Sequence, residues 1–291
     1  MLPIRSRLRW PLFGLLLLPA LVLAACGGGN EKKASEATKV ALTITDVGKK
    51  ASYQLPASIK GGLVRLSVTN HGKGPRAAQL VRIEGNHSIQ EVLKTVASNS
   101  PKTPDWIRGQ GGLGPVAPGK TQDATLNLPA GKYIVADLGG PTSGPPGYKE
   151  FTVTSGKQGS LPSTPVTITA AEPSEDHWRW DVSGPLKAGV NNVTFDSKGK
   201  NTIHFIGLFR ITGNHSNAEI VKALKNNSGP PPKFVDTSSF YNTAVLDDGL
   251  SQTTPLPITK PGKYVLFCPL SDRNGGKPHF EQGLIKQVDV N

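Results

Sequence analysis

Hydrophobic and polar residues alternate with a period of two in short runs along most of the chain. Examples are VALTITDV (40–47), GLVRLSVTN (62–70), VTITAAEP (166–173), NNVTFDSKG (191–199) and TIHFIGLFRI (202–211). That period sends successive side chains to opposite faces of an extended strand, so each run predicts a half-buried strand. The runs are separated by Gly and Pro, and with 33 glycines and 25 prolines in the chain the turns outnumber any long regular element. Two segments change to a helical period, SIQEVLKTVAS (88–98) and SNAEIVKALKN (216–226). Each opens with Ser-x-x-Glu (Ser88 with Glu91, Ser216 with Glu219), the arrangement in which the two side chains satisfy free backbone N–H groups at a helix start. The pattern predicts an all-β sandwich with one inserted helix in each half. The stretches 98–118 and 227–255, polar and rich in Pro and Gly, read as long loops.

The halves repeat one another. Leu80-Val81-Arg82-Ile83-Glu84-Gly85-Asn86-His87-Ser88 answers Leu208-Phe209-Arg210-Ile211-Thr212-Gly213-Asn214-His215-Ser216, and PAGKYIVADL (129–138) answers KPGKYVLFCPL (260–270). The expected division is a unit over 40–154, a polar linker over 155–164 and a second unit over 165–291. His87 and His215 occur in both copies, which points to a fold role at the helix entrance. His71 and His177 fall in polar turns. Trp178 and Trp180 sit two apart on a strand and are expected to pack on one face.

The N-terminus departs from this pattern. Arg5, Arg7 and Arg9 precede the uncharged run Trp10–Ala25, which contains Pro11 and Pro19 and is short for a bilayer-spanning helix of about 20 residues. A basic head, a short apolar run and small residues before a break make an export signal over 1–25. Leu23-Ala24-Ala25-Cys26 resembles a bacterial lipoprotein box, which implies cleavage before Cys26, lipidation of its sulfur, and residues 26–39 as a flexible tether. The resemblance places the protein on the extracytoplasmic side of the cell membrane, with the lipid bilayer as its first partner. Removal of the leader leaves 30 basic against 21 acidic residues. This excess is spread along the chain, with no basic helix or aromatic RNA motif, so nucleic acid is not an expected partner. With Cys26 lipidated, Cys268 has no disulfide partner.

The order of elements in the second half resembles a cupredoxin, the Greek-key β-sandwich of the blue-copper proteins, and the first half resembles a degenerate copy. The resemblance implies two tandem Greek-key cupredoxin-like sandwiches and a copper site. Residue by residue, the strand histidine of the family matches His204, the cysteine at the end of the GKY strand matches Cys268, and the loop histidine matches His279. One thiolate and two imidazoles suit copper in both oxidation states. Two features depart from the family pattern. Ten residues separate Cys268 from His279, and the position of the family's axial methionine is Leu284, with Gln282 an alternative oxygen donor. In the first half Arg76 stands at the position of His204 and Asp137 at that of Cys268. That site is expected to be metal-free, with the two charges paired.

Taken singly, Cys268 also reads as a small buried apolar residue, His204 as a core histidine and His279 as an exposed loop residue. Two functions follow: a copper protein passing single electrons to a redox or envelope partner, or a metal-free binding module of the envelope. The six histidines include no His-x-His pair, and no nucleophile elbow, phosphate loop or HExxH signature appears, so the chain is expected not to be an enzyme.

Overall fold

The computed structural model describes residues 36–98, 100, 102–138, 146–175, 177–226 and 230–291. The leader, Cys26 and most of the tether lie outside the described residues. Within them, no helix is long and apolar enough to cross a membrane.

The alternating runs form strands whose apolar positions face inward. In Thr38–Val47 the side chains of Val40, Leu42 and Ile44 are buried while their neighbours are more exposed. In Val166–Ser174 the equivalent residues are Val166, Ile168 and Ala170. The two halves build the same ladder. Thr38–Val47 runs parallel to Gly62–Asn70 and antiparallel to Lys50–Gln54, and Gly62–Asn70 runs antiparallel to Thr121–Leu128. In the second half Val166–Ser174 runs parallel to Gly189–Ser197 and antiparallel to His177–Ser183, and Gly189–Ser197 pairs with Ser251–Ile258. The two four-stranded sets join edge to edge at Gln252↔Leu126 and Thr253↔Thr125, making one sheet of eight strands.

The facing layers repeat too. Arg76–Ile83 pairs with Gly131–Ala136, and that strand with Tyr148–Thr154. Gly207–Ile211 pairs with Gly262–Phe267, and that strand with Ile285–Val290. Gln79 lies opposite Ala136 as Gly207 lies opposite Phe267, so the register places Arg76 and Asp137 where the second half has His204 and Cys268. Each of these sheets is covered on its outer face by the short helix. Ile89 and Val92 pack on Val81, Ile83 and Ile134 in the first half, and Ile220 packs with Phe209, Ile211 and Val265 in the second. Burial on both faces explains why YVLFC (264–268) is apolar without interruption. Both helices, Ile89–Ala97 and Asn217–Lys225, start in complete capping boxes on Ser88 and Ser216.

Two stretches expected to be loops contain strands. Ile107–Val116 (IRGQGGLGPV) is almost wholly buried and pairs with Arg76–Ile83 through two register shifts. Its glycines hide it from period-two reading but allow close approach: a Cβ at Gly112 would sit 2.1 Å from the Ala78 carbonyl oxygen. Val235–Asn242 and Ser251–Ile258 occupy the other stretch. Residues 155–164 form no element, yet they are fastened to the first half: Leu63 N–H donates to the Lys157 carbonyl (3.0 Å), and Asn127 exchanges hydrogen bonds with Gly159.

Candidate metal centre

Three elements bring the candidate ligands together. His204 ends the two-residue strand Ile203–His204, Cys268 follows the strand Gly262–Phe267, and His279 opens a single 3₁₀ turn, His279–Gln282. One donor atom from each lies within 4.8 Å of the other two, and all three residues are fully buried. The ten residues between Cys268 and His279 do not carry the histidine away, because the loop is pinched at its base. His279 N–H donates to the Leu270 carbonyl (2.8 Å) and Phe280 N–H to the Cys268 carbonyl (2.9 Å). What projects is a turn in which Gly275 N–H donates to Asp272 O and Ser271 Oγ to Gly276 O. Past His279, Gly283 takes φ +107, and a Cβ there would meet the Trp178 carbonyl oxygen at 2.4 Å. This reversal returns Leu284, whose N–H bonds to His279 O and whose carbonyl accepts from Cys268 N–H (3.2 Å) and Trp180 Nε1 (3.1 Å).

The imidazoles lie with centroids 4.5 Å apart, and Trp178 walls them in at 4.5 Å from His204 and 4.9 Å from His279. Thr202 Oγ1 stands 3.4 Å from His204 Nε2 and 3.3 Å from His279 Nε2, and Asp272 Oδ1 is 3.0 Å from His279 Nε2. A carboxylate only accepts, so His279 carries its proton on Nε2 and leaves the Nδ1 lone pair free. Both Nδ1 atoms, of His204 and His279, are buried with no hydrogen-bond partner. A buried polar atom without a partner is costly, and two histidines that each keep one such atom and converge with one thiol form a donor set that a metal ion would satisfy. Leu284 is fully buried in the same apolar cluster as Cys268. Gln282, the alternative axial donor, instead lines a surface hollow with His177, Lys277 and Glu281.

Burial dominates the electrostatics. It pushes the Cys268 thiol up to about 12, with the N–H groups of Phe205 and Leu270 pulling the other way. It holds His204 well below its usual value, with His279 adding to the effect, and lowers His279 against the pull of Asp272. Both imidazoles are therefore neutral at pH 7. The unfolded chain protonates them below pH ~6.5 while the fold resists, so the metal-free protein loses stability as pH falls through that value. Each histidine contributes at most about 1.4 kcal/mol per pH unit. Urea midpoints at pH 7.5 and 5.5 check this: the drop should shrink in His204→Asn, and an equal drop in both proteins would refute the assignment.

In the first half Arg76 Nη1 stands 3.1 Å from Asp137 Oδ2, and Arg76 Nη2 is 2.8 Å from Asp46 Oδ1. Asp46 carries no counterpart signal in the repeat and was not foreseen from sequence. Neither were Thr202 and Asp272, whose roles depend on contacts with no sequence period. His87 stacks on Trp106 (4.0 Å) and His215 on Phe234 (3.9 Å), both at helix entrances. His177 lies at the start of its strand, exposed, and Trp178 and Trp180 share the buried face.

No family model matches the chain, and no curated protein matches it. Among solved structures, a multicopper oxidase is similar over 87% of this chain and 88% of its own (15% identity, TM-score 0.25). Auracyanin B is similar over 45% of this chain and 93% of its own (23% identity, TM-score 0.29). A copper-containing nitrite reductase from Thermus scotoductus is similar over 88% of this chain and 61% of its own (10% identity, TM-score 0.25). The expectation that the chain is not an enzyme is corrected here. Oxidases and a nitrite reductase, which are enzymes, stand among the similar structures, so the histidine count does not exclude that class. By its repeated strand order, common register and matched helices, the chain is built as two tandem β-sandwich halves of one pattern.

Proposed function

We propose that the second half binds a single copper ion through Cys268 Sγ and the Nδ1 atoms of His204 and His279, and that the protein passes single electrons through it. The observation that carries this reading is the convergence of three fully buried donors within 4.8 Å, with both Nδ1 atoms unpartnered. Copper bound there supplies one-electron chemistry. The chain's own residues do the rest. Cys268 gives up its proton on ligation, and the amides of Phe205 and Leu270 stabilise the resulting thiolate. Asp272 fixes the His279 tautomer. Trp178 and Leu284 keep water out, and because Leu284 brings no donor atom, a copper ion held here would be biased toward Cu(I) and a high potential. As part of the same proposal, a lipid on Cys26 anchors the protein to the extracytoplasmic face of the membrane, where it meets a redox partner of the envelope; the leader and lipoprotein-like box support this.

The test is to add Cu(II) to the purified protein and record its visible spectrum. An intense thiolate-to-copper charge-transfer band is expected, lost in Cys268→Ser. A folded, colourless protein that retains no copper would overturn the reading and leave a metal-free envelope module.

A further inference from the structure

The elements that carry two of the three candidate ligands are fastened to the first half. Ile203–His204 is not hydrogen-bonded to the four-stranded sheet that carries Cys268. It pairs with Leu246–Asp247, which pairs in turn with Ile107–Val116 through Leu246↔Gln110, so His204 ends a sheet whose other strands, Leu246–Asp247 apart, belong to the first half. Gln79 locks the preceding residue in place: Val245 N–H donates to its Oε1 (2.6 Å), and its Nε2 donates to Val245 O (3.1 Å). The loop before His279 is held from the same side. Arg273, fully buried, places Nη2 2.5 Å from Asp247 Oδ1 and donates from Nη1 to the Pro104 carbonyl (2.9 Å), while its own carbonyl accepts from Thr103 N–H (2.8 Å). Asp247 also accepts from Gly109 N–H (2.9 Å). The residue next to Arg273 is Asp272, the one that orients His279.

We infer that the first half, which offers no metal-ligand set among its described residues, is a positioning part of the metal centre, acting through Gln79 on the His204 strand and through Arg273 on the His279 loop. This deepens the copper reading and rests on it. A ten-residue loop left to itself samples many conformations, and buried Arg273 selects one by engaging Asp247 and the Pro104 carbonyl through its guanidinium while its own carbonyl takes the Thr103 N–H. The Cys268–His279 insertion is thus the reach needed to cross to the neighbouring half.

The test uses the full chain in Arg273→Met and Gln79→Ala forms, with Arg65→Ala, which breaks only the exposed pair with Asp123, as control. Two quantities are read on proteins shown to be folded by circular dichroism: the rate at which Ellman's reagent reaches the Cys268 thiol in metal-free protein, and the Cu(I) dissociation constant by chelator competition. Both variants are expected to react about 10-fold faster or more, because the buried thiol is reached through local opening. Their Cu(I) dissociation constants should rise roughly 10–100-fold, with the control unchanged in both. Wild-type values in a folded Gln79→Ala and a folded Arg273→Met would overturn the inference. If the unaltered protein takes up no copper, the copper reading fails, while the thiol rates still decide whether the first half holds the loop.

Discussion

Asp247→Ala is expected to lower the unfolding free energy by about 3–5 kcal/mol, the range for stripping one partner from a buried ion pair. Its partner Arg273 has no exposed side-chain surface, and the carboxylate is 4% exposed, so water cannot replace what is lost. Arg108, 3.4 Å from Asp247 and more exposed, keeps Glu84 as a partner and so adds little to the loss. The pair is not a source of net stability, however. Burial raises the Asp247 pKa despite the opposing pull of Arg273, Gly109 N–H and Arg108, so desolvation outweighs attraction. The sign follows. A folded-state value above the unfolded one means that stability is lost as pH rises through it, and the ionised carboxylate is tolerated rather than favoured. The double variant Asp247→Asn/Arg273→Met should therefore recover most of the loss. Chemical denaturation of the three proteins at pH 7 checks both statements, and a double variant no better than the single one would refute the second.

Arg76→Met is the second large effect, about 2 kcal/mol, below the fully buried range because the guanidinium keeps 14% exposure. The substitution leaves Asp46 and Asp137 facing each other without a cation, and costs the bonds to Asp46 Oδ1 (2.9 Å) and Lys49 O (3.2 Å). In the unaltered protein the Lys73 backbone N–H, together with Arg76, holds the Asp46 pKa down against burial. Its contribution is present above the ordinary carboxylate range and fades as pH falls through it. The gap between variant and wild type should accordingly narrow on acidification, since a protonated Asp46 needs no cation. A gap that stays constant from pH 7 to pH 4 would show that lost packing, not charge, sets the cost. Where the second half gathers neutral donors, the first half has filled the matching place with a salt bridge, and either solution satisfies the polar groups between the sheets.

Much of this could be read from the residues. Period-two runs, the two Ser-x-x-Glu starts and the repeated GKY strand specify local structure, and local signals survive in a single sequence. The candidate donors were legible as residue types at repeated positions, His204 against Arg76 and Cys268 against Asp137. Ile107–Val116 was not, because seven of its ten residues are Gly, Pro or long polar groups, and it is a strand only by virtue of what lies on either side. Thr202 and Asp272 carry no such signal for the same reason, and Trp178, expected to pack with Trp180, gives no sign in sequence that it walls in two imidazoles, since each acts through a neighbour distant in sequence. Arg273 lies in the polar run SDRNGG (271–276), a composition typical of an exposed turn. That a charged loop residue is wholly buried depends on Asp247, Thr103 and Pro104, and no spacing rule links them.

The seam between the two four-stranded sets carries a consequence for how the chain folds. Strands Ile107–Val116 and Thr121–Leu128 find their outer neighbours only at residues 246 and 252–253, more than a hundred positions later. A chain made from its N-terminus therefore completes the front portion while two ribbons still offer bare amide and carbonyl groups to any passing molecule. Maturation should be slow for its size, since closure over such separations precedes the reward. A truncation ending near residue 160 should yield a sticky, self-associating fragment rather than a well-behaved small protein.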